Sequence, residues 1–128
     1  MGSQYLRGNL EVLKPHLSAK CVSGKLILGK GHENIKIDTA FDYCISAPIS
    51  ILNQLNLVQQ DDRLVDVGDF EGKTRKKKVY IGQVKIRKKV IDTYFIEGNF
   101  LLGMEFAYDV FKTFKLDFVN EKFSLKLR

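Results

Sequence analysis

The chain has 128 residues, 45% of them hydrophobic and 28% charged, which suits one globular domain that builds a core without disulfide or metal staples. No apolar run approaches the roughly 20 residues that a membrane-spanning helix needs. The net charge of +6 favours solubility and a general attraction to polyanions, and is silent about fold.

Residues 1–19 show no basic start followed by an apolar stretch, so no secretory leader is expected. Cys21 and Cys44 are too few and too scattered for a disulfide framework or a zinc site, and are expected to be reduced, packed thiols. Both readings point to a cytoplasmic protein. His16 and His32 have no acidic or cysteine partner at ligand spacing, so neither a metal nor a cofactor is expected.

From Lys20 to Leu28 the residues favour an extended strand, with Gly24 as a turn or bulge, and Gly29-Lys30-Gly31 then interrupts the chain. Ile35 and Ile37 alternate with Asn34 and Lys36, the period of a half-buried strand, which runs directly into Asp38. Tyr43 to Ser46 suits a short strand. Pro48 then opens a helical turn that places Ile51, Leu52 and Leu55 on one face. Leu64 to Val67 reads as extended, and Gly68-Asp69-Phe70-Glu71-Gly72 as a hairpin tip. Val79 and Ile81, then Val84 and Ile86, predict two strands joined by a turn at Gly82-Gln83, and Val90 to Ile96 a further strand closed by Gly98-Asn99. Met104, Ala107, Phe111 and Phe114 recur at spacings of three and four, which predicts a helix with one apolar stripe. Leu116 and Phe118, a turn at Asn120-Glu121, and alternating Phe123, Leu125 and Leu127 close the chain as a β-hairpin.

Three features stand in a telling order. A strand ends in Asp38-Thr39-Ala40, a glycine-flanked hairpin follows, and Phe100-Leu101-Leu102-Gly103 leads into the amphipathic helix. This order resembles the retropepsin-like aspartic proteases, in particular their compact prokaryotic members. The resemblance covers residues 20–128 and leaves residues 1–19 as an N-terminal extension or arm. It implies a mostly β, closed barrel or sandwich with one short helix after the Leu-Leu-Gly motif, working as a homodimer on peptide or protein substrates.

In that resemblance Asp38 is the catalytic residue, and the partner copy supplies the second carboxylate across a two-fold axis. One carboxylate deprotonates water while its neighbour protonates or hydrogen-bonds the peptide carbonyl. Carboxyls about 3 Å apart share one proton, so their titration belongs to the pair. Thr39 would hold the two loops together, and position 40 would lend backbone groups. Leu101, Leu102 and Gly103 would buttress the loop from beneath. Gly68, Asp69, Phe70, Glu71 and Gly72 would form a flap that closes over substrate. The C-terminal strand near Arg128 would join the interface and bury Phe123, Leu125 and Leu127.

One departure bears on activity: Ala40 stands where the family has glycine. A methyl there tests how closely backbones can approach, so the alternative expectation is a catalytically impaired peptide-binding or dimerisation module. Asp42 lies close to the motif and is expected to face solvent. Ile91-Asp92-Thr93 repeats the first three residues of the motif, but Tyr94 is bulky and the chain is too short for a second lobe, so Asp92 is expected on the outside of a strand. Arg75-Lys76-Lys77-Lys78 and Arg87-Lys88-Lys89 read as solvated strand edges that share one sheet edge. Without interleaved aromatics they predict no specific nucleic-acid partner.

Overall fold

Alternating apolar residues dominate this chain, and the structure turns them into strands that close on themselves. The computed structural model describes residues 4–11, 14–68 and 74–128. Strand accounts for 61% and helix for 10%, and seven strands form a closed barrel. In chain order the elements are β1 (Tyr5–Glu11), β2 (Lys14–Val22), β3 (Lys25–Leu28), β4 (Glu33–Ile37), β5 (Ile45–Ala47), α1 (Ile49–Leu52), β6 (Val58–Gly68), β7 (Thr74–Ile86), β8 (Lys89–Glu97), β9 (Leu101–Leu102), α2 (Met104–Val110), β10 (Phe111–Asp117) and β11 (Lys122–Leu127).

Pairing runs β2–β3–β7–β8–β5–β9–β4 and returns from β4 to β2, which closes the ring. The β3–β7, β5–β8 and β4–β9 pairs are parallel, and the others in the ring are antiparallel. Leu17, Leu26, Ile35, Ile45, Val84, Ile86, Phe95 and Leu102 fill the core with almost no exposure. Closure removes the open edges that a sheet of this size would otherwise present. Outside the ring, β6 extends β7 into a long hairpin, while β1, β11 and β10 continue from β2 as an antiparallel flank.

Several expectations need correction. β2 begins at Lys14 and runs without a break through the boundary drawn between residues 19 and 20, and β1 pairs with both β11 and β2. Gly82-Gln83 is not a turn: β7 is continuous from Thr74 to Ile86, and Gly82 pairs with Thr93. The turn comes later, at Arg87-Lys88, where Arg87 takes a positive φ of 58°. Glycine serves another purpose at position 82, since a Cβ there would lie 2.5 Å from Leu57 Cδ2 and 2.9 Å from Phe95 Cε1.

The helix after the Leu-Leu-Gly motif is also shorter than its periodicity suggested. Phe111 already has extended backbone, and Phe111 to Asp117 pair with β11. Position 111 opens a run rich in aromatic and β-branched residues, which pack better on a pleated surface than on a helix. The buried helical side chains are Phe106 and Val110, whereas Met104 and Ala107 are only partly buried. Phe123 and Leu125 are buried within one chain, and β11 is hydrogen-bonded on both sides. No partner copy is therefore needed to cover Phe123 and Leu125.

The two basic runs do not share an edge. Residues 75–78 pair with residues 64–67 at one end of β7, and Arg87 lies beyond its other end, about 30 Å away along the strand. Cys21 and Cys44 are free thiols, and burial pushes both up from the ordinary thiol range.

Two outcomes test this packing. Gly82→Val should destabilise the fold by about 1–3 kcal/mol through overpacking against Phe95 and Leu57, read by urea denaturation; a residue in an exposed turn would accept valine with little change. Buried Cys44 should react slowly with a thiol reagent in the native protein at pH 8, and fully once the chain is unfolded.

Candidate active site

The end of β4 delivers Asp38 to the surface. Its amide N–H donates to the carbonyl of Leu102 at 3.0 Å, extending the parallel β4–β9 seam by one bond. The chain then turns sharply, with the Phe41 N–H donating to the Asp38 carbonyl at 3.1 Å. Within the turn the Ala40 amide N–H donates to Asp38 Oδ1 at 3.0 Å, which orients the carboxylate. Asp38 is half-buried, while Thr39 and Ala40 are exposed.

A second set of bonds ties the loop to the start of α2. Gly103 N–H donates to the Cys44 carbonyl at 2.7 Å, Met104 N–H to the Phe41 carbonyl at 2.8 Å, and Glu105 N–H to the Asp42 carbonyl at 3.2 Å. Amides at a helix start have no partner within their own helix, and here the loop carbonyls satisfy them. A Cβ at Gly103 would overlap the carbonyl oxygen of Tyr43 and lie 2.7 Å from Phe41 Cδ2, so glycine is required by close approach. Leu102 is fully buried and Leu101 partly so. Asp38, Thr39, Ala40, Leu101, Leu102 and Gly103 are therefore brought together in one small assembly.

Ala40 adopts no left-handed backbone: among the described residues, positive φ outside glycine occurs at Ser23, Arg87 and Glu121. The methyl at position 40 is thus accommodated without backbone strain. Asp42 is exposed, and Asp92 is exposed on β8, where it accepts a hydrogen bond from Gln83 Nε2 at 3.2 Å. Among the described residues no group of histidine, cysteine, aspartate and glutamate could hold a metal ion.

Four residues that the motif did not single out complete the surroundings. Phe41, Val79 and Ile96 form a small buried cluster of their own, with Tyr43 packed against it. Phe41 and Tyr43 meet edge to face at 5.8 Å between ring centres. Val79 sits on β7 close to its pairing with β6, so this cluster anchors the base of the long hairpin beside the Asp38 loop. The aromatic pair two residues apart just after the motif was the available signal. Gly68 ends β6 opposite Thr74, and Asp69, Phe70, Glu71 and Gly72 lie outside the described residues.

The chain matches no family model, no curated protein and no solved structure.

The assembly predicts unequal responses at its two small residues. Gly103→Ala should lower stability by about 1–3 kcal/mol or more, because the obstacle is backbone rather than a flexible side chain. Ala40→Gly should cost only about 0.4–1 kcal/mol, through the added freedom of the unfolded chain. Chemical denaturation of the two variants side by side checks the ranking.

Proposed function

We propose that the protein is an aspartic endopeptidase of the retropepsin-like type, active as a homodimer in which two Asp38 carboxylates face each other across a two-fold axis. The observation that carries this reading is the surface turn Asp38-Thr39-Ala40, held by the Leu102 carbonyl and with the Ala40 amide on the half-buried carboxylate. A turn built only to cap a strand has no need of the glycine-dependent seam beneath it. One chain presents one such aspartate, and a symmetric partner supplies its complement.

In the dimer, one carboxylate takes a proton from water as the water attacks the peptide carbonyl, and the other hydrogen-bonds the carbonyl oxygen. The substrate lies extended between the dyad and the β6–β7 hairpin, pairing through its main chain as an added strand. Anchoring of the hairpin base by Val79 and Phe41 couples its position to that of the catalytic loop. The interface is built around the Asp38 loops, since β11 is already paired on both sides within one chain.

Asp38→Asn keeps the shape of the side chain but cannot act as base. It should reduce cleavage of a peptide library by about 10²–10⁴-fold or more, while sedimentation equilibrium still shows a dimer. Wild-type protein that is dimeric but cleaves nothing, and gains no activity in Ala40→Gly, would favour the impaired binding module. Cleavage that persists in Asp38→Asn would remove the mechanism altogether.

A further inference from the structure

At the opposite end of the barrel from Asp38 lies a hollow of about 690 Å³. The separation follows from register. On β2, His16 sits opposite Lys36, near the Asp38 end of β4, whereas Ala19 sits opposite Glu33, and Lys20 and Val22 continue past it. Lys20 is therefore about 20 Å along the strand from the level of Asp38.

Five lysines and two arginines line this hollow, and no aspartate or glutamate does so among the described residues. Register places part of the lining: Lys20 pairs with Ile27, and Ile27 pairs with Lys85, so the three sit side by side across β2, β3 and β7. Neighbouring strands are about 4.8 Å apart, which sets the two lysine stems about 10 Å from each other with isoleucine between. Lys30, Lys88 and Lys89 add three more ammonium groups from the loop after β3, the β7–β8 turn and the start of β8. The arginines are committed to holding the walls. Arg87 Nη2 donates to the Tyr5 carbonyl at 2.7 Å, and Arg128 Nε donates to the Tyr108 carbonyl at 2.9 Å. Val22, Ile27 and Leu127 give the hollow an aliphatic floor.

Like charges gathered in a concavity repel one another and focus a positive potential outward. A bound polyanion relieves that repulsion. Lysine acts as a mobile point charge, suited to several phosphate groups spread over a ligand, whereas planar carboxylates favour the arginine fork. The volume lies within the range of about 300–1,000 Å³ usual for small-molecule sites. No aromatic side chain lines the hollow among the described residues, so the stacking platform of a single-strand nucleic-acid site is missing.

We infer that this hollow binds a small organic polyphosphate of the nucleoside di- or triphosphate type, with phosphates on the lysines and the organic body against the aliphatic floor. This site is independent of the Asp38 chemistry.

The experiment is titration calorimetry of the full chain with ATP, inorganic tripolyphosphate and a 15-nucleotide oligothymidylate, all in 150 mM salt. ATP should bind one per chain with a Kd below about 100 µM, and tripolyphosphate at least threefold more weakly. A variant carrying Lys20→Gln, Lys30→Gln and Lys88→Gln should lose at least tenfold in ATP affinity. A control with the same charge change, Lys76→Gln, Lys77→Gln and Lys78→Gln, should stay within twofold, and thermal unfolding should be unchanged in both. Any of four results overturns the inference: no ATP binding up to 1 mM, equal loss in the two variants, tripolyphosphate as tight as ATP, or tighter binding of the oligonucleotide through the same three lysines.

Discussion

Two residues close this barrel. Leu101 and Leu102 form the whole of β9, yet they pair in parallel with β4 on one side and antiparallel with β5 on the other. Without that link the ring would open between β4 and β5, and Ile35, Ile37 and Ile45 would lose the wall that covers them. The seam depends in turn on Gly103, because only a residue without a Cβ lets the chain pass the Tyr43 carbonyl and enter α2. Backbone contact at this point leaves little slack, since neighbouring strands and the start of a helix compete for the same few ångströms.

The surface turn at Asp38 inherits its order from that seam. Leu102 offers one carbonyl to Asp38, and the first amides of α2 take up the carbonyls of Phe41 and Asp42, so the exposed loop is bonded along both its limbs. A half-buried carboxylate on a rigid support would suit the catalysis proposed for it, because misplacement of about 1 Å can cost a hundredfold in rate. The Phe41–Val79–Ile96 cluster extends the same order to the base of the β6–β7 hairpin. Support for the loop and support for the hairpin are therefore shared, and a substitution in the cluster would disturb both.

The basic residues show how strand register converts composition into a site. The run at residues 75–78 lies within the β6–β7 hairpin, while Arg87 and its neighbours are carried to the far end of β7. There they meet Lys20 from β2 and Lys30 from the loop after β3. The net charge of +6 is thus spread unevenly, with one concentration in a concave place. That concentration lies at the opposite end of the barrel from Asp38.

Local pattern was enough to read much of this protein. The alternation of Ile35 and Ile37 identified β4, the turn at Asn120-Glu121 identified the closing hairpin, and the Asp-Thr-small and Leu-Leu-Gly motifs picked out segments that the fold brings together around Asp38. Those signals are local because each depends on side chains a few positions apart along one element. Other features were decided by partners distant in sequence. Gly82 looks like a turn until Phe95 and Leu57 crowd against it, and Phe111 and Phe114 look helical until β11 offers them a strand to pair with. Phe123 and Leu125 seemed to need a second copy until the flank of β1 and β10 was in place. The same is true of the cationic hollow, whose lysines come from three strands and two connections. Periodicity says which face of an element is apolar; only closure of the barrel decides what that face meets.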